Sequence, residues 1–456
     1  MHPTQLRPTR RSARRQGVLP AWIGGLAPAA VLWVFLWCAI NSGPWNLRLD
    51  HTGTWDLIHA GRAALPLLAM FFAGATALQR FDRLGWRVTG PGRLWALYGV
   101  VTLLAATMAD EPLSAAYWSV AYLASLLVLA LCVRRADPLG DLERLNQFNW
   151  VIATGMIITL VFIARDELFV GRGYDMTAYG VVSRVGEVAG MAMSRSSGMA
   201  RFSAIPGIAA FVLMWQARGL RKLLWAAVVV ASGALIYLMQ SRGAIVGFAF
   251  AITFVTMFLS RKTRLVGVLV AILLVVALVA DMIPEDVTRH LLRDQEADQL
   301  GTLTGRTRAW SLAWPHVMES PIWGWGMQAD RALIHEHVHN TYLYALLSGG
   351  VLGGGAFTIG LIWAWVLFWR IIRSRLSAPP ARRTILLQAG GILAFFTIRS
   401  IPEVCGAMFG VDLMAMAPIL AYLAVFDRMV TRSKKNSSKS RRLDPRTIHE
   451  PANNKR

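Results

Sequence analysis

The chain has 456 residues, of which 55% are hydrophobic and only 16% charged, with a formal net charge of +21. Soluble domains carry about 25% charged residues, so this composition, with a mean hydropathy of +0.45, excludes an ordinary soluble globular protein and indicates a membrane protein. The cations stand in short clusters between apolar runs rather than on one basic domain; this argues against nucleic acid as a partner and makes them topology signals facing membrane lipids.

Arg7, Arg10, Arg11, Arg14 and Arg15 precede an apolar stretch from about Val18 to Ile40. That stretch exceeds the roughly 7–15 residues of a signal-peptide core and is read as a first span. Further runs of about 20 residues, the length a bilayer requires, begin near Arg62, Leu94, Leu113, Trp150, Ala200, Leu223, Gly243, Leu265, Asn340, Ile385 and Val411. The expected fold is an all-α polytopic integral membrane protein of about 12 transmembrane helices, with a large periplasmic loop between helices 9 and 10. Its divisions are a cytoplasmic basic tail (1–17), helices 1–9 (18–283), the periplasmic loop (284–338), helices 10–12 (339–428) and a cytoplasmic basic tail (429–456) too polar to fold.

Charge in the connections tests this arrangement. With the amino terminus inside, cytoplasmic connections carry Arg80, Arg83 and Arg87, then Arg134, Arg135 and Arg144, then Arg218, Arg221 and Lys222. Arg261, Lys262 and Arg264 follow, then Arg373, Arg375, Arg382 and Arg383. The short outer connections differ: Asp110 and Glu111 make one acidic, and another sets Arg399 against Glu403. The alternation obeys the positive-inside rule, and an even count keeps both basic tails on one side. The three cysteines, Cys38, Cys132 and Cys405, lack the spacing of a metal site or disulfide framework and are read as small core residues.

On this topology cationic residues gather at the outer ends of helices. Arg201 opens the span near Ala200, Arg242 occupies the tight turn Gln240-Ser241-Arg242-Gly243, and Arg306 and Arg308 lie in the large loop. Arg184 and Arg195 stand in the outer segment before Arg201. An arginine in hydrocarbon costs about 2.5–3.5 kcal/mol, and a diphosphate ligand, met bidentately by the guanidinium fork, accounts for several at one level. Snorkelling to lipid phosphate is the alternative for any one of them. His335, His337 and His339 alternate, so a strand would place them on one face, but no motif completes a metal set. The helical signal starts at Asn340 and runs apolar to Ile372, too long for one straight span. A break or close helix contact is expected at Gly349-Gly350 and Gly353-Gly354-Gly355. A neutral His339 at the loop's return can act as a general base near neutral pH.

These residues resemble a known family. His339-Asn340 followed after nine residues by Gly350 and after two more by Gly353 resembles the histidine motif of bacterial O-antigen ligases. Gly305-Arg306-Thr307-Arg308-Ala309-Trp310, leading to Glu319-Ser-Pro-Ile-Trp-Gly-Trp-Gly326, is similar to the periplasmic loop of the wider ligase and polymerase superfamily. Ser241-Arg242-Gly243 resembles its Ser-Arg turn, and Arg201 with Pro206 its arginine-rich helix opening, although Gly207 stands where the family usually has asparagine.

The resemblance implies a glycosyltransferase of the Gram-negative inner membrane, multi-pass, with its active site facing the periplasm. The implied donor is undecaprenyl-diphosphate-linked O-antigen and the acceptor a sugar of lipid A–core, joined by inverting transfer without metal or cofactor. His339 and Arg242 would be catalytic; Arg201, Arg242, Arg306, Arg308 and Arg195 would bind diphosphate; Asn340, Gly350 and Gly353 support the motif. O-antigen polymerase and O-linked protein oligosaccharyltransferase share these features. A lipid-linked glycan transporter would need midplane charges and related halves.

Overall fold

The computed structural model describes residues 20–40, 57–79, 90–134, 136–163, 165, 184–188, 191–259, 263–265, 306–374 and 380–442. In chain order the helices are α1 (Pro20–Cys38), α2 (Leu57–Gln79), α3 (Pro91–Ala105), α4 (Pro112–Cys132) and α5 (Pro138–Ile163). A hairpin of β1 (Arg184–Val188) and β2 (Met191–Arg195) precedes α6 (Ser196–Gln216), α7 (Leu220–Leu238) and α8 (Arg242–Leu259). The last helices are α9 (Arg306–Glu319), α10 (Ala329–Leu333), α11 (Thr341–Arg373), α12 (Pro380–Arg399) and α13 (Val411–Arg442).

Among the described residues eight helices are long and apolar enough to cross a membrane: α2, α4 to α8, α11 and α13. Large side chains such as Phe71, Leu78, Ile158, Phe162, Val230 and Val351 are exposed along them, a surface suited to lipid and not to water. The chain is therefore a helical, multi-pass membrane protein. Of the span expected near Leu265 only its start, up to that residue, is described, and residues 284–305 of the expected loop lie outside the described residues. The hairpin is a small departure from helix, and its register pairs Arg184 with Arg195. Cys132 and Cys405 are buried as expected of core residues, whereas Cys38 is exposed.

Helix α5 opens at Pro138, well ahead of the expected Trp150, so Arg144 stands on a helix and not in a connection. Asp137 accepts from the Gly140 N–H at 3.0 Å and Pro138 supplies the first-turn φ, an ordinary helix start. The polar first turns hid it from a hydropathy window.

The two ends of the bundle differ in charge. At one end Asp141 binds Arg134 at 2.8 Å and Arg144 at 2.6 Å, Arg382 meets Glu143 at 3.4 Å, and Arg370 meets Asp427 at 3.3 Å. At the other end the connections read as outer come together: residues 109–115 lie against Trp325 and Gln328, Gly243 faces Pro402, and Arg201 reaches Asp412.

Helix α11 is broken at Gly350, whose φ of 56° and ψ of −162° are not helical. The break unpairs backbone groups, and the segment 321–326 takes them up. Trp325 N–H donates to Leu347 O (2.9 Å), Gly326 N–H to Ser348 O (2.9 Å), Val351 N–H to Pro321 O (2.8 Å) and Leu352 N–H to Ile322 O (3.3 Å). In a low-dielectric setting such pairing is obligatory. Beyond the break Gly353 lies against Tyr98 and Val101 of α3, and Gly360 against Trp95, the close helix contact that small residues permit.

Candidate active site

The site is assembled where α11 starts. Asn340 caps that helix: its Oδ1 accepts from Tyr342 N–H (3.0 Å) and Leu343 N–H (2.9 Å), and its Nδ2 donates to Ile401 O at 3.1 Å. The neighbouring Thr341 is buried. Its N–H donates to Ser400 O at 3.0 Å, its hydroxyl donates to Glu403 O at 2.7 Å and accepts from Cys405 N–H at 2.8 Å. The connection 400–410 is thereby stitched to residues 339–341. Loss of the cap should cost about 1 kcal/mol: Asn340→Ala is expected to lower the thermal midpoint, and Asn340→Asp, which keeps the cap oxygen but loses the donor to Ile401 O, to recover only part of it.

This clamp sets His339 beside Glu403, with Nδ1 and Oε2 3.2 Å apart. Burial by itself would raise the Glu403 carboxyl, but the His339 contact and the charges of His339, Arg399 and Arg306 hold it far below the ordinary carboxylate range. An ionised carboxylate only accepts, so Nδ1 must carry the hydrogen and Nε2 is left as the acceptor. The His339 side chain is 36% exposed, open to a substrate.

Arg306, the first residue of α9, binds the other oxygen of Glu403 at 3.0 Å. Arg308 is exposed; two residues along a helix is about 200° of rotation, so the two arginines point to opposite sides. Arg201, on α6, binds Asp412 at 3.0 Å. Arg242 opens α8 and is partly buried, next to Gly243, which faces Arg399 and Pro402. Arg195 closes β2 directly before α6. The structure thus brings His339, Arg201, Arg306 and the amino end of α8 to one place.

The histidines do not share a strand face. His335 and His339 have φ of 56° and 48°, and each of the other positive-φ residues other than glycine, Gln240 (47°) and Gln328 (66°), flanks a motif segment. Such backbone costs about 1–3 kcal/mol per residue and concentrates at functional sites. His337 bonds to Asp330 at 2.5 Å, and its ring lies 4.6 Å from that of His339. Burial lowers the His337 imidazole below its ordinary value. Burial would raise Asp330, but His337, Arg331 and the Val338 N–H hold it low. The pair is a neutral imidazole donating to a carboxylate, a support behind His339. An open groove of about 450 Å³ begins at Asn340, walled by Trp310, Trp314 and Tyr342. The Trp310 indole is fixed by donating to Val338 O at 2.7 Å.

Glu403, Asp412 and Arg399 were not among the residues expected to form the site. Arg399 and Glu403 entered the sequence reading only as loop charge. Asp412, two residues into an apolar helix, carried a usable signal, since an ionisable residue at a membrane-spanning helix marks function by default.

These features define a multi-pass helical membrane protein with a cation-rich site, built on a histidine–carboxylate pair, at one end of its bundle. Residues 226–358 match the family model described as O-antigen ligase. The match spans less than a third of the chain and takes in Arg242, Arg306, His339 and the Gly350 break; it supports the O-antigen ligase family, whose members are membrane glycosyltransferase-like enzymes. Arg201, Arg399, Glu403 and Asp412 lie outside the matched segment. A search of curated proteins finds no match.

Proposed function

We propose that the chain transfers O-antigen from undecaprenyl diphosphate to a sugar hydroxyl of lipid A–core, at the periplasmic face of the Gram-negative inner membrane. The observation that carries this reading is the His339–Glu403 pair set among Arg201, Arg306 and the α8 turn. Nε2 of His339 takes the acceptor's proton, and the freed oxygen attacks the anomeric carbon. The bond from that carbon to the diphosphate breaks, and the arginines neutralise the leaving group. A single displacement inverts the anomeric centre and needs no metal. Trp310, Trp314 and Tyr342 offer flat faces on which a sugar ring can lie beside the base.

Twelve spans remain part of this reading. Helix α8 ends near Arg383, whose Nη2 donates to Phe258 O at 2.9 Å, and α9 begins beside Glu403, an arrangement in keeping with the span expected near Leu265.

The test is transfer of lipid-linked glycan to purified lipid A–core, alone and with saturating chelator, beside unextended glycan and acceptor protein. Ligation that survives the chelator and prefers lipid A–core is expected. Transfer chiefly to glycan or protein would assign the site to a polymerase or oligosaccharyltransferase. In the same assay Arg242→Lys should remain folded yet lose most ligation, because lysine keeps the charge and lacks the bidentate fork; full activity would make Arg242 structural.

A further inference from the structure

Arg399 ends α12 and is 1% exposed, yet its Nε and Nη1 have no hydrogen-bond partner among the described residues. Its guanidinium lies over the Phe395 ring, 5.7 Å from the centroid. The carboxylates of the site are hydrogen-bonded to other cations: Glu403, which feels the Arg399 charge, binds His339 and Arg306, and Asp412 binds Arg201 through one oxygen. Asp412 Oδ1 is likewise without a partner. A buried guanidinium with two nitrogens that lack acceptors is costly to keep unless an anion completes it.

The space beside it has a defined wall. A β-carbon on Gly243 would stand 3.8 Å from Arg399 Nε and 3.6 Å from Pro402 Cγ. Gly243 is the second residue of α8, where backbone N–H groups have no intrahelical acceptor and the helix dipole is positive. A buried fork and a helix amino end thus face one another, and the missing side chain keeps the gap between them open.

We propose that Arg399 and the amino end of α8, opened by Gly243, form a cradle for the diphosphate of the lipid-linked donor. This rests on the functional reading above and adds to it two residues that the reading does not use. The charge count agrees. Arg201, Arg242, Arg306 and Arg399 against Glu403 and Asp412 leave two positive charges, and a diphosphate esterified at both ends carries two negative ones.

The experiment uses the full chain in lipid nanodiscs and measures binding of polyprenyl diphosphate, with polyprenyl monophosphate and neutral polyprenol as comparators. Wild type should prefer the diphosphate. Arg399→Gln should weaken that binding by about tenfold or more, the loss of one charge-assisted contact, and Gly243→Ala should weaken it by filling the gap in which the diphosphate lies. Their thermal midpoints should hold or rise, since one removes a buried cation with unmet donors and the other adds helix propensity. If Arg399→Gln fails to fold, Gly243→Ala, which leaves the arginine in place, decides alone. Wild-type diphosphate affinity in a folded variant overturns the cradle and leaves the ligase reading standing. In that case a lower midpoint for Arg399→Gln would assign the guanidinium to packing against Phe395. A wild-type protein that does not distinguish diphosphate from polyprenol overturns both.

Discussion

Replacing His339 with alanine is expected to lower glycan transfer by about 10²–10⁴-fold, the usual worth of a general base, while leaving polyprenyl diphosphate binding nearly unchanged. Glu403 itself adds no pH dependence in the assay range. Its carboxyl is held far below the ordinary range, so its contribution to stability is present above about pH 4.3 and is lost only as pH falls below that value. The carboxylate is therefore ionised throughout the useful assay range and keeps Nδ1 as the donor. Glu403→Gln should reduce turnover as well, because an amide stabilises the imidazolium less and no longer dictates the tautomer, and donor binding should again be spared. A His339→Ala protein that bound donor poorly but turned over normally at saturation would make the histidine a binding residue.

The largest effect on folding is expected at Gly350. A side chain there would adopt φ of 56°, at about 1–3 kcal/mol, and would collide with the Ile322 carbonyl and the Trp323 nitrogen. Relieving the collision means parting the segment 321–326 from α11 and breaking some of the four hydrogen bonds between them, at about 1 kcal/mol each. Gly350→Ala should therefore cost more than about 3 kcal/mol in all and drop the apparent thermal midpoint by several degrees or more. Gly355→Ala is the control, because that position has open space and an ordinary backbone, and it should be neutral or slightly stabilising. Equal midpoints for the two variants would show that the break does not hold the loop.

Sequence alone was enough for the helical, multi-pass class, because burying a span in lipid demands about 20 apolar residues in a row and that signal is local. It also placed the break in α11, since successive glycines in an overlong apolar run mark where a helix can yield. The alternation of charge between connections anticipated which turns would share an end of the bundle. Local pattern was insufficient elsewhere. His339 and Glu403 are 64 positions apart and Arg201 and Asp412 are 211 apart, so no window contains either pair. Arg306 and Arg308 look equivalent in a string, and only the turn of α9 sends one to Glu403 and leaves the other exposed. Asn340 read as motif support at the start of a helix, and the fold shows both ends of its amide holding backbone. Arg399 read as one charge in a short loop, and only packing against α8 and Phe395 shows it buried with Nε and Nη1 lacking an acceptor among the described residues. Each of these outcomes depends on which groups compete for one hydrogen bond or one charge, and that competition exists only once the helices are packed.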